Sequence, residues 1–158
     1  MAARVQALAF DALTTWRSVL PGSGPRIVLS AGLDELAHAD FPCGLAQRLA
    51  AADLPWAAVE LDLRRGVLRA ADAAVIAMLC GLRRRGVTLA LDDAAHPEAV
   101  APMLTRLDLD RLKRDTAVGR DLPREAGRQA LADRLMRLAR GHRLAVSAEG
   151  VETAEEVE

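Results

Sequence analysis

The sequence predicts an α/β fold in which five mainly parallel strands alternate with helices. Short apolar runs such as Ile27-Val28-Leu29 and Val87-Thr88-Leu89-Ala90-Leu91 recur, separated by stretches with apolar residues at helical spacing. Arg83-Arg84-Arg85-Gly86 precedes one strand and Gly141-His142 another, because basic residues favour a helix's last turn and Gly ends it. Alternation of helices with strands this short means a mainly parallel sheet.

Each element has its own signal. Val5, Leu8, Ala9, Ala12, Leu13 and Trp16 share one face of a helix over residues 5–20. Pro21-Gly22-Ser23-Gly24-Pro25 breaks it, and residues 26–30 read as the first strand. A short helical turn over 33–39 follows, then a helix over 43–52 opened by Pro42, with Leu45 and Leu49 one turn apart. The second strand spans 56–63, where Val59, Leu61 and Leu63 alternate with Glu60 and Asp62. That alternation fits a half-exposed strand, or a barrel strand whose acidic side faces the interior. Residues 68–82 read as one helix with Ala71, Val75, Met78, Leu79 and Leu82 inward, Met78 as core filler. The third strand is 87–91. Pro97 sits at the first turn of a helix over 96–104. The fourth strand lies within 107–113, around Arg111-Leu112-Lys113-Arg114, and Gly119 to Pro123 is a loop. A helix over 124–140 turns Leu131, Leu135 and Leu138 inward, and residues 144–148 form the fifth strand. Thr153 and Glu156 have the spacing of a capping box.

With 158 residues the chain is one ordinary domain, and the expectation is a single unit over 1–158. Aromatics are only 3% and Tyr is absent, so the core is built from Ala, Leu and Val with few platforms for stacking bases. A net charge of -1 gives no field toward nucleic acid or an acidic membrane. Cys43 and Cys80 are expected to be buried, reduced thiols. No apolar run approaches a membrane span and the N-terminus lacks a signal peptide, so the expectation is cytoplasmic, without membrane contact by this segment.

Ligands of parallel α/β folds bind beyond the carboxyl ends of strands. There the sequence places Asp62, the pair Asp92-Asp93, Lys113 (the single lysine) and Glu149, with Glu152 three residues on. The bland reading of Asp92-Asp93 is a strand end starting a turn. Hard cations prefer carboxylate oxygens, and two metals about 4 Å apart activate water for phosphodiester attack, so the whole set points to a metal-and-phosphate site. His38, His96 and His142 make no cluster, and Arg83 to Arg85 read as a solvated helix end.

Leu89-Ala90-Leu91-Asp92-Asp93, then Leu107 to Asp115, then Ala148-Glu149-Gly150-Val151-Glu152-Thr153-Ala154-Glu155 resemble successive motifs of the EAL domain. Thr15-Trp16-Arg17, Leu29-Ser30-Ala31 and Val59 to Leu63 extend the resemblance through nearly the whole chain. That family hydrolyses cyclic di-GMP on a (β/α)8-type barrel using Mg or Mn. The resemblance implies metal ligation by Asp92, Asp93 and Glu149, water orientation by Lys113, and a hold on metal-bound water by Glu152. Asp62 falls where the family has a ligand glutamate.

The departures from the family pattern concern one site. The Glu-Ala-Leu signature is absent, and the family's asparagine ligand falls on Val28. Arg64-Arg65 replace a Thr-Glu, and Ala94-Ala95-His96-Pro97 replace an aromatic–glycine loop. By this comparison two strands are missing ahead of the sequence and one after it. The expectation is therefore a degenerate EAL domain truncated at both ends, a partial or open form of the barrel. Asp62, Asp92, Asp93, Glu149, Lys113 and Glu152 are then vestigial, with no metal bound and no hydrolysis. Lys113 is expected to pair with Asp92 or Glu149 in place of a cation. The preferred function is a non-catalytic regulatory or protein-interaction module in bacterial signalling, with a protein partner or self-association. One alternative is a cyclic di-GMP receptor without hydrolysis. Another is a residual phosphodiesterase, the one case that calls for Mg or Mn. Open sheet edges and an Ala-rich surface suit association.

Overall fold

Five parallel strands form one sheet in chain order: β1 (Ile27–Ser30), β2 (Val59–Arg64), β3 (Thr88–Asp92), β4 (Arg111–Asp115) and β5 (Ala145–Glu149). The computed structural model describes residues 2–20, 24–94, 96–115 and 126–149. The loop expected at 119–123, Glu152 and the capping box at Thr153 and Glu156 lie outside the described residues. Helix α1 (Ala2–Val19) precedes β1, and α2 (Leu33–Leu36) and α3 (Phe41–Ala51) lead to β2. Helices α4 (Arg65–Ala70) and α5 (Ala73–Arg84) join β2 to β3, α6 (Pro97–Leu104) joins β3 to β4, and α7 (Ala126–His142) precedes β5. Parallel neighbours require such crossovers, and the expected alternation holds throughout.

Successive strand residues point to opposite faces of the sheet. Leu61, Leu63, Leu89, Leu91 and Leu112 are fully enclosed and join Leu68, Leu79, Leu82, Leu104 and Leu107 in one core. Burying each such leucine is worth about 1.5–3 kcal/mol. The other face carries Glu60, Asp62, Ala90, Arg111 and Lys113.

Three local expectations are corrected. Residues 68–82 are not one helix, because α4 and α5 break at Ala71-Asp72. Ala71 is extended, and the Asp72 carboxylate accepts the Val75 N–H at 2.9 Å, capping a fresh helix start. On α1 the inward residues are Phe10 and Leu13, whereas Leu8 and Trp16 are 62% and 55% exposed. Cys43 is exposed because Leu45 and Leu49 take the inward side of α3, and Cys80 is only half-buried because Leu79 and Leu82 take the inward side of α5.

The connection from α5 to β3 is built around Asp110. Gly86, at φ +110°, makes the left-handed turn that ends the helix. Asp110 then accepts the Leu89 N–H at 2.9 Å and the Arg83 guanidinium at 2.9 and 3.0 Å. That hydrogen bond holds the Arg83 pKa above its ordinary value. Arg85 lies over the Trp56 ring at 5.1 Å. Of the three arginines expected to be solvated, two therefore have structural partners.

Candidate functional site

The second strand is not half-exposed. Every residue from Val59 to Leu63 is buried, Glu60 and Asp62 at 6% exposure each. Their enclosure follows from two cations on β4. Lys113 Nζ donates to Asp62 Oδ2 at 2.6 Å, and Arg111 Nε lies 3.3 Å from Glu60 Oε2. Strands β2 and β4 are not neighbours, so both contacts pass over β3, a span of about 9–10 Å between backbones. Ala90 makes this geometry possible. It faces Asp62 in register on one side and Arg111 on the other, and its methyl leaves room for long side chains above it. Each cation reaches back one pleat: Arg111, level with Asp62, takes Glu60, and Lys113, one pleat on, takes Asp62.

The adjacent carboxylates of Asp92 and Asp93 separate at the end of β3. Asp92 Oδ1 accepts the Asp93 N–H at 2.9 Å. Asp93 takes φ +60°, a left-handed conformation that Asp adopts more readily than most residues. The following Ala94 N–H donates to the Lys113 carbonyl at 3.0 Å, tying the turn to β4. Asp93 Oδ2 then lies 3.4 Å from Arg65 of α4, a half-exposed pair. The turn relieves the repulsion between neighbours by sending one carboxylate to the next residue's backbone amide and the other to a cation.

The structure thus brings Asp62 and Lys113 into direct contact, with Asp92 at the end of the strand between them. Lys113 bonds Asp62, a partner the sequence reading did not name; of the two expected partners, Glu149 has its side chain outside the described residues. The lysine stem reaches the deeper carboxylate because Ala90 does not block it. Glu149 ends β5 opposite Asp115, and its side chain lies outside the description, as does all of Glu152. Glu60 and Arg111 were not among the candidates read from the sequence. Their signal was parity, since each stands two residues before Asp62 or Lys113 on the same strand face. Val28, where a ligand asparagine was sought, lies in register with Glu60 and is half-exposed. Among the described residues, no group of three or more His, Cys, Asp and Glu side chains is arranged to hold a metal ion. No helix among them is long and apolar enough to cross a membrane.

Known proteins resemble this chain along its whole length. Residues 3–158 match the EAL domain family. Cyclic di-GMP phosphodiesterase NbdA of Pseudomonas aeruginosa is 31% identical over 125 residues, 79% of this chain and 15% of that protein. Cyclic di-GMP phosphodiesterase PdeR of Escherichia coli is 25% identical over 141 residues, 89% of this chain and 21% of that protein. The chain therefore spans about a fifth or less of the curated relatives it matches. The crystal structure of the EAL domain of Mycobacterium smegmatis DcpA superposes with a TM-score of 0.83 at 26% identity, covering 96% of this chain and 68% of that one. Klebsiella pneumoniae BlrP1, in its manganese and cyclic di-GMP complex, gives a TM-score of 0.80 at 25% identity over 98% of this chain and 38% of its own. Shared by sequence over residues 3–158 and by fold with these structures, this ancestry is plain: the chain belongs to the EAL domain family.

Proposed function

We propose that this chain is a non-catalytic member of its family, a degenerate module that regulates or binds another protein in bacterial cyclic di-GMP signalling. The observation that carries the reading is the 2.6 Å contact between Lys113 and Asp62. A lysine ammonium on a buried carboxylate supplies the positive charge that a divalent cation would otherwise bring. Arg65 does the same for Asp93, and the Asp92 carboxylate is turned onto a backbone amide. Magnesium and manganese need several oxygen ligands free to converge, and charged hydrogen-bond donors compete for those oxygens. The described carboxylates do not fit a two-metal site, so no hydrolytic step is derived through one. Asp62, Asp92 and Asp93 are read as inherited structure, and a motif shared with enzymes does not carry their activity with it.

A second reading is a receptor that binds cyclic di-GMP without cleaving it. What favours it is the likeness at 25% identity to BlrP1 in its complex with manganese and cyclic di-GMP. Calorimetric titration of cyclic di-GMP, with and without Mn, on one sample followed by product analysis separates these readings. Silence in both is expected for the interaction module. Stoichiometric heat without product selects the receptor. Linear dinucleotide product that disappears in Asp92→Asn overturns the non-catalytic reading.

A further inference from the structure

At the carboxyl ends of β2 and β3, beside Asp92 and Asp93, α4 and α6 flank an open cleft of about 1050 Å³. Its walls combine two chemistries. Val67, Ala99, Pro102 and Met103 make an apolar surface, and Arg64, Arg65, Arg69 and Arg106 surround it. Against these four guanidinium groups the lining holds two carboxylates, Asp92 and Asp93, leaving two positive charges in excess in a chain whose net charge is -1. The four arginines are not equivalent. Arg106 donates to the carbonyls of Leu68, Arg69 and Ala71, so it is fixed and its charge is held at the cleft edge. Arg65 lies 3.4 Å from Asp93 across a half-exposed gap, a pairing that a better acceptor displaces. No carboxylate among the described residues pairs with Arg64 or Arg69.

We propose that this cleft binds a phosphomonoester with an apolar organic body. A phosphomonoester carries close to two negative charges at neutral pH, matching the excess charge of the lining. Arginine presents planar, paired donors that match phosphate oxygens, and two of these forks have no competing carboxylate. The apolar residues of α4 and α6 take the organic body, since small-molecule sites are concave and combine an apolar wall with polar groups that fix orientation. A flat acidic protein surface would leave the depth of the cleft unfilled. The cleft shares Arg65, Asp92 and Asp93 with the site described above, but the inference uses neither metal nor cyclic di-GMP and does not involve Lys113.

The test is calorimetric titration of the full chain, free of metal, with phenyl phosphate, inorganic phosphate and a hexaglutamate peptide as probes. The double variant Arg64→Gln/Arg69→Gln removes the two unpaired forks. Both side chains are exposed, and an unchanged melting curve confirms the fold. Arg26→Gln, exposed ahead of β1 and outside the lining, is the control for general charge. The expected result is one-to-one binding of phenyl phosphate, weakened about tenfold or more in the double variant and less than about twofold in Arg26→Gln, as loss of charge-assisted hydrogen bonds requires. Inorganic phosphate should bind about tenfold more weakly than phenyl phosphate, because it leaves the apolar wall in water. Equal affinity for the two phosphates overturns the organic body. Tighter binding of hexaglutamate overturns the small-molecule class. Absence of heat, or equal losses in the double variant and in Arg26→Gln, overturns the site.

Discussion

Replacing Lys113 by methionine keeps most of the side-chain volume and removes the charge, leaving Asp62 at 6% exposure without its nearest cation. Removing one partner of a buried ion pair costs about 3–5 kcal/mol, because the remaining charge stays in a poorly solvated place. In a domain of this length about 1 kcal/mol moves the melting temperature by about 2–4 °C. Lys113→Met should therefore lower the melting temperature by roughly 6–20 °C. Asp62→Leu should cost a similar amount from the opposite side. The double variant should recover most of either loss, since an apolar pair of like volume is often as stable as the ion pair it replaces. Urea unfolding and calorimetry on the four proteins give the coupling energy of the cycle, expected to exceed about 1 kcal/mol. If the double variant loses the sum of the two single losses, the contact does not hold β2 and β4 together, and the reasoning that places a lysine where a metal's charge would stand is wrong.

Further predictions follow from single contacts. Ala90→Leu should disturb both charge pairs at once by filling the space above β3, lowering stability by about 1–3 kcal/mol in urea unfolding. Asp72→Ala should remove the cap of α5 and cost about 1 kcal/mol, seen as a lower melting temperature with the sheet intact. Glu98 is exposed, and its own backbone N–H, then Arg134 of α7, hold its carboxyl below the ordinary glutamate range. A carboxylate depressed on folding stabilises above its unfolded pKa and loses that contribution as pH falls through its folded pKa. The melting-temperature gap between the native chain and Glu98→Gln should accordingly be present at neutral pH and close at acid pH below the glutamate range. A gap that persists there would rule out the linkage.

Much of the fold was readable because it is written in local terms. Strand cores such as Leu89-Ala90-Leu91 and helix signals such as Pro97 depend on nearest neighbours, and the structure keeps each within a residue or two. The break at Asp72 was missed because the apolar period runs on across it, and a single carboxylate cap is a weak signal against that rhythm. The residue types of the site were also legible, but their pairing was not. Whether Lys113 meets Asp62 or Asp92 depends on the size of Ala90 on an intervening strand, a relation between residues 51 positions apart along the chain. The exposure of Glu60 stayed open between water and the sheet interior because alternation cannot distinguish water from a neighbouring arginine.

Arg106 has a consequence for how the molecule comes apart. Helix α4 has six residues, too few to persist on its own in water. Its terminal carbonyls are gathered by one guanidinium from a residue 35 to 38 positions later, beyond α6. The helix and the connection into β4 therefore open as one cooperative unit, and neither frays at leisure while the other stays closed. Amide hydrogen exchange in α4 should follow that of the segment around Arg106, so two stretches distant in sequence share a single protection factor.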